Sequence, residues 1–386
     1  MHTITIIGAG TMGTGIAQVA LTHQCFVYLY DVNPSALQKA QTQLNQTFSK
    51  LVEKNKISET QKQQYLQNIQ YISSLNQLKN PHLVIEAIVE NLEVKKKLFS
   101  ELEPLLSPQC ILSTNTSSLS VHSMIKGLQH PERFLGLHFF NPAPLMPLVE
   151  VIPTLLTNTS VTNTALKLLN SWDKTTVIAK DTPGFIVNRI ARPFYSEALR
   201  ILDEGIADMT TIDYAIKQIG GFKMGPFELM DFIGHDVNYV VTETVWTQMY
   251  YDPKYKPSLT QKRLVEAGLL GKKTGRGFYD YSKPLPQEPT IKDSTLHQQI
   301  FIRILSMLIN EAVDALYYNI ASKDDIETAM IKGVNYPKGL LHWADEIGLC
   351  TIYNELQKLY EYYQEDRYRP SVLLKQKLLN HQKFYD

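Results

Sequence analysis

The sequence has few cysteines: Cys25, Cys110 and Cys350 are odd in number and far apart. They offer no metal-ligand spacing and no disulfide framework, which suits a reducing, cytoplasmic setting. An excess of charge of one sign is also missing. Lys plus Arg and Asp plus Glu number 38 each, so the net charge is zero. That balance removes any global electrostatic case for nucleic acid or a membrane surface as partner. No run of about 18 uninterrupted apolar residues occurs, so no membrane insertion is expected. The start, MHTITIIGAG, lacks the basic and long apolar regions of a signal peptide. What is present is ordinary globular composition, 44% hydrophobic and 20% charged over 386 residues. That length allows about two to three domains with sizeable cores.

Thr3–Ile7 is β-branched and apolar, glycines follow, residues 11–23 read as a helix, and Cys25–Tyr30 is a second apolar run. Strand–helix–strand opens a parallel α/β sheet. A long polar helical stretch is expected over 35–68, then strands at 83–87, 110–113 and 134–138. Short apolar runs separated by helical patterns predict a doubly wound, Rossmann-type parallel sheet ending near residue 180. The texture changes at Asp181-Thr182-Pro183-Gly184, after which the patterns are helical. Residues 281–294 are polar and proline-rich and read as a linker.

An internal repeat spans that linker. At a fixed offset of 114 residues, Arg189-Ile190 recurs as Arg303-Ile304, Glu197-Ala198 as Glu311-Ala312 and Ile206-Ala207 as Ile320-Ala321. Ile212, Gly225, Asp231 and Ile233-Gly234 recur as Ile326, Gly339, Asp345 and Ile347-Gly348. Chance alignment of helical sequence gives scattered Leu and Ala matches, not paired Gly and Asp. The expected organisation is a nucleotide-binding domain over 1–182, a helical domain over 183–280, the linker 281–294, and a second helical copy over 295–386.

Gly8-Ala9-Gly10-Thr11-Met12-Gly13 fits G-x-G-x-x-G between a strand and a helix. The first glycine makes the turn, the second admits a pyrophosphate, and the third lets helix pack on strand. The helix N-terminus offers amides and partial positive charge to phosphates. Asp31, 18 residues after Gly13, closes the second strand. A carboxylate there would accept from ribose hydroxyls and repel a 2′-phosphate, which favours NAD over NADP. A solvated turn residue or helix cap is the plainer reading of Asp31.

His138-Phe139-Phe140-Asn141-Pro142 ends another strand. Oxidising an alcohol by hydride transfer needs a base for the hydroxyl proton, and histidine titrates near neutral pH. Glu150 lies in the apolar run LVEVI, where a carboxylate is costly without a partner. A bond to His138 would satisfy it. From these residues alone, His138 fits a core histidine as well as it fits a base.

Seven ordered blocks then resemble the L-3-hydroxyacyl-CoA dehydrogenase family: GAGTMGTGIA (8–17), VIEAIVENLEVK (84–95), STNTSSLS (113–120), GLHFFNPAPLMPLVEVI (136–152), DTPGFIVNRI (181–190), MGPFELMDFIG (224–234) and GKKTGRGFY (271–279). The resemblance implies a Rossmann-type domain followed by all-α domains of the 6-phosphogluconate-dehydrogenase-like type, here two. It implies NAD as cofactor, no metal, and an acyl-CoA substrate oxidised or reduced at its 3-position, in fatty acid β-oxidation or a related pathway. By the same resemblance His138 is the catalytic acid/base, Glu150 its partner, and Ser117 and Asn188 hold the substrate's oxygens. Glu90, Lys95, Asn115, Ser117, Asn141 and Lys273 join the glycine loop as cofactor contacts. Thr47 and Lys54 fall on a helical hairpin resembling the CoA-binding region.

Pro147 stands where many relatives carry a basic residue, and Ile302 stands opposite Asn188 in the second copy. That copy is therefore expected to be non-catalytic. It is also expected to form an internal pseudo-dimer with the first, in a monomer or homodimer. Arg189 reads as a structural ion-pair residue. The rivals are a 3-hydroxyadipyl-CoA dehydrogenase, a lysine-centred β-hydroxyacid dehydrogenase, and a non-catalytic subunit of a β-oxidation assembly.

Overall fold

A computed structural model describes residues 1–385. They fall into two compact units, residues 1–181 and a second beginning at Thr182.

The first unit runs β1 (Thr3–Ile7), α1 (Thr11–Thr22), β2 (Phe26–Tyr30), α2 (Pro34–Glu53), α3 (Glu59–Gln67), β3 (Ile69–Ile72), β4 (Leu83–Glu86), α4 (Leu92–Leu102), β5 (Ile111–Thr114), β6 (Phe134–Phe139), β7 (Leu148–Pro153), α5 (Thr159–Ser171) and β8 (Thr175–Ile178). The strands form one sheet in the order β3-β2-β1-β4-β5-β6-β7-β8. Its central strands are buried along nearly their whole length, which is why they read as continuous apolar runs. The core is built from Ile4, Ile6, Val27, Leu29, Leu83, Ile85, Leu135 and Leu137 under α1 and α2.

The polar helical stretch 35–68 folds as a hairpin of α2 and α3. Asn55 takes a left-handed φ of 55°, and Ser58 restarts the chain as α3 with a capping box to Gln61. Phe48 and Tyr65 then pack across the hairpin, ring centroids 5.3 Å apart. One feature departs from the expectation: the sheet is not parallel throughout, because β7 pairs antiparallel with β6. The loop 140–147 is too short for the crossover that parallel pairing requires.

The glycine turn is sterically dictated at two positions. Gly8 has φ +107°, and a Cβ there would lie 2.5 Å from the Ala87 carbonyl oxygen. A Cβ on Gly13 would lie 1.8 Å from the Gly8 oxygen. Only glycine lets α1 start so close to β1 and β4.

The second unit is helical: α6 (Val187–Ile190), α7 (Arg192–Asp203), α8 (Met209–Gly220), α9 (Pro226–Ile233), α10 (His235–Gln248), α11 (Leu259–Glu266), α12 (Ser294–Tyr317), α13 (Lys323–Val334), α14 (Leu340–Ile347), α15 (Leu349–Tyr363) and α16 (Val372–Leu379). Helices α8, α9 and α10 recur as α13, α14 and α15 at the offset read from the sequence. Pro193 interrupts α6–α7, whereas Met307 at the matching position lets α12 run through. The stretch 281–293 is irregular, with the Ile291 amide tied to the Thr211 hydroxyl at 3.1 Å.

Buried charges mark the repeat. Arg189 donates to Glu311 (2.8 Å), and Arg303 donates to Glu197 (2.7 Å). Each arginine thus bonds the glutamate of the other copy, the exchange expected of an isologous contact. Asp213 accepts the amides of Phe227 and Glu228, as Glu327 accepts those of Leu341 and His342. Asp231 accepts from Phe278 and Tyr279, as Asp345 does from Phe384 and Tyr385.

Candidate active site

The site is built at the carboxyl ends of the central strands, where open α/β sheets bind ligands. Register decides its first pair. His138 on β6 lies directly opposite Glu150 on β7, so both side chains leave the same face of the sheet. Nδ1 of His138 lies 2.6 Å from Oε2 of Glu150, with side-chain exposures of 6% and 0%. A carboxylate at that distance holds the proton on Nδ1 and makes Nε2 the basic nitrogen. The Phe140 ring packs on the imidazole at 4.5 Å between centroids.

A second network joins β4, α4 and β5. Glu86, fully buried, accepts from Thr114 Oγ1 (2.6 Å), the Ile88 amide (2.8 Å) and Lys95 Nζ (2.5 Å). The same ammonium lies 3.2 Å from Glu90. Glu90 in turn accepts from Thr116 Oγ1 (2.6 Å) and from the amides of Ser117 (3.0 Å) and Ser118 (3.2 Å). Burial works against its ionised form, but the Lys95 charge and the Thr116 and Ser117 bonds hold its carboxyl below the usual range. Lys95 is itself buried and committed to these two carboxylates. Asn115 links this turn to the histidine strand, its amide bonded to Glu86 O and its Oδ1 to the Phe139 amide.

Residues of the glycine loop fit a dinucleotide. Gly10 is the N-cap of α1 and makes no side-chain cap, so the first amides of the helix are open to an anion. A Cβ at Gly10 would meet nothing within 4 Å, which leaves the approach to the backbone clear. Asp31 accepts from the Ala9 amide and the Asn33 amide, both at 2.8 Å, fixing its carboxylate beside the loop.

The remaining expected residues have the following surroundings. Asn141 is exposed after β6, and half-buried Pro147 gives its carbonyl to the Thr175 amide. Thr47 is half-buried on α2, and exposed Lys54 caps that helix. Asn188 sits on α6 of the second unit, where its carbonyl accepts from Arg192. Lys273, 45% exposed, pairs with Asp236 at 2.5 Å. No group of three or more His, Cys, Asp or Glu that could hold a metal occurs among the described residues. None of their helices is long and apolar enough to cross a membrane.

Comparison with known proteins gives the family. The model of the "3-hydroxyacyl-CoA dehydrogenase, NAD binding domain" matches residues 3–182. That of the "3-hydroxyacyl-CoA dehydrogenase, C-terminal domain" matches 184–281 and 300–384. The chain belongs to the 3-hydroxyacyl-CoA dehydrogenase family. It is an NAD-dependent oxidoreductase of that class. It is 36% identical to the 3-hydroxyadipyl-CoA dehydrogenase of Escherichia coli, over 98% of each chain. A solved structure named as 3-hydroxybutyryl-CoA dehydrogenase from E. coli superposes with a TM-score of 0.93, at 36% identity and 98% coverage of both chains. The 3-hydroxybutyryl-CoA dehydrogenase of Bradyrhizobium diazoefficiens is 39% identical over 73% of this chain and 97% of its own.

Sequence reading missed several supporting residues of this dehydrogenase. Glu86 and Thr116 were given no role there. Lys174, buried, donates to the carbonyls of Ala143 (2.6 Å) and Met146 (2.9 Å) and so holds the loop after His138. Its only signal was a lysine just before an apolar strand.

Because the folded state lowers the Glu90 pKa, its ionisation stabilises the fold above the ordinary carboxyl value of 4.5, and that contribution is lost as pH falls below it through the lower folded value. Glu90→Gln is therefore expected to be less stable than wild type at neutral pH, with the gap closing in acid. Urea unfolding at a series of pH values measures this, and a gap that does not change with pH contradicts it.

Proposed function

We propose that this dehydrogenase interconverts 3-hydroxyacyl-CoA and 3-oxoacyl-CoA with His138 as its acid/base. The observation that carries the reading is the buried 2.6 Å His138–Glu150 pair held across β6 and β7. In the oxidising direction Nε2 of His138 takes the proton of the 3-hydroxyl. Held at the glycine loop and Asp31, NAD would supply the acceptor for the hydride that leaves C3, so that the products are NADH and the ketone. Glu150 keeps the imidazole in one tautomer and offsets the charge it gains. Ser117 and Asn188 are assigned to the substrate's oxygens. Gly8, Gly10, Thr11, Met12, Gly13 and Asp31 are assigned to the dinucleotide, with Glu90, Asn115, Asn141 and Lys273. Lys95 would act on it through Glu90. Thr47 and Lys54 are assigned to the CoA moiety.

A second reading, a diacid acyl chain, is favoured by the E. coli relative named for 3-hydroxyadipyl-CoA that matches along the whole chain. The pseudo-dimer belongs to the same proposal. The Bradyrhizobium relative matches only 73% of this chain while nearly all of its own length is covered. The extra helical copy would then stand where a second subunit stands in a single-copy protein. The exchanged Arg189–Glu311 and Arg303–Glu197 pairs support that reading. A cytoplasmic location is proposed with it, since buried Cys25 and Cys110 and exposed Cys350 are all free thiols.

His138→Ala is expected to lower turnover with acetoacetyl-CoA and NADH by ~10²–10⁴-fold while cofactor binding stays nearly unchanged. Normal turnover would end the assignment. Asp31→Ala is expected to weaken NADH binding more than NADPH binding, read by fluorescence titration. Equal weakening counts against its ribose role. A chain ending at residue 294 is expected to expose apolar surface and to dimerise or aggregate in sedimentation. A monomer of unchanged stability would refute the pseudo-dimer.

A further inference from the structure

Arg192 is an exception among the buried arginines. Arg133, Arg189, Arg303 and Arg367 each lie within ion-pair range of a buried glutamate. Arg192 is only 4% exposed, and among the described residues no carboxylate lies within ion-pair range of it. Its partners are neutral. Nε donates to Asn188 O (2.7 Å), and Nη1 donates to Thr242 Oγ1 (3.0 Å) and Asn238 O (3.4 Å). The guanidinium stacks over the Tyr195 ring at 5.0 Å. No acceptor for Nη2 is found among the described residues. Burial pushes its pKa down, with only the tyrosines Tyr195 and Tyr336 opposing that. A buried cation without an anion is costly, and a fold that needed only packing here would be better served by an aliphatic residue.

The repeat supplies an internal control. Buried ion-pair residues survive in both copies: Arg189 and Arg303, Glu197 and Glu311. Asn188 and Arg192, one helical turn apart, do not. Their counterparts are Ile302 and Ser306. So Arg192 departs together with the asparagine assigned to the substrate, not with the scaffold.

We propose that Arg192 is a specificity residue that binds a carboxylate at the far end of the acyl chain, so that the preferred substrate is a 3-hydroxy-diacyl-CoA. This rests on the dehydrogenase reading and on Asn188 holding the substrate's oxygens. A guanidinium offers two parallel donors to a carboxylate, the geometry that Nη2 and its neighbour can supply. Length fits a six-carbon diacid. Its terminal carboxyl carbon lies three carbon–carbon bonds of about 1.5 Å beyond C3. The guanidinium lies within that reach of Asn188, since Nε of Arg192 is bonded to the Asn188 carbonyl at 2.7 Å.

The test compares kcat/KM, by NADH formation, for 3-hydroxyadipyl-CoA and 3-hydroxyhexanoyl-CoA. The two have equal length and differ in a terminal carboxylate against a methyl. Wild type is expected to prefer the diacid at least about tenfold. Arg192→Met should lower that preference by about 30-fold or more while holding hydroxyhexanoyl-CoA within about threefold. Arg192→Lys should retain part of the preference, since it keeps the charge without the fork. A wild type without preference overturns the proposal whatever the variants do. So does a variant that loses both substrates equally, the mark of a structural role. If Arg192→Met does not fold, the wild-type preference and Arg192→Lys decide. Turnover of hydroxyhexanoyl-CoA without diacid preference leaves the dehydrogenase reading intact. Turnover of neither substrate by wild type removes both.

Discussion

The antiparallel step between β6 and β7 is the constraint on which the site depends. In an otherwise parallel region, one short loop reverses the chain and brings Glu150 opposite His138. A slip of one residue would send one of the two side chains to the other face. The buried carboxylate would then be unpaired and the imidazole would lose its fixed tautomer. The strand's apolar flanks therefore matter to chemistry as well as to packing: Leu137, Phe139, Val149 and Val151 are buried and set the register that the charged pair needs.

Around that pair, ionised groups are buried only where another group answers them. Lys95 holds two carboxylates, and Glu86 uses three donors. Lys174 answers two carbonyls rather than an acid, and burial lowers its pKa. Its bonds fix the loop between the histidine and its partner. Such polar clusters are costly when incomplete. Here each one ties the end of a strand to a turn, so that several loops share one geometry at the carboxyl edge of the sheet.

Much of this was legible in the sequence because the signals were local. G-x-G-x-x-G after a β-branched run marked β1 and α1, and the change at Asp181 marked where the helical pattern starts. The 114-residue offset found the repeated helices. What escaped needed pairing information. Strand β7 read as an apolar run, but no local feature gave its direction. Glu86, Thr116 and Lys174 were invisible as site residues because their partners lie 9 to 31 positions away. The His138–Glu150 spacing was readable, yet its meaning came from family resemblance and then from register.

Duplication separates what the helical fold requires from what one copy alone carries. Capping acids recur in both halves: Asp213 with Glu327, and Asp231 with Asp345, each accepting two backbone amides. These bonds end loops and start helices, and any copy must keep them to fold. Asn188 has no such counterpart, since half-buried Ile302 stands at its position within the unbroken α12. A copy under only structural constraint would drift in this way, keeping Arg303 and Glu311 for the exchanged ion pairs and shedding amide and guanidinium where no ligand remained to be held. The asymmetry therefore argues for one reacting centre per chain, with the second copy serving as its scaffold.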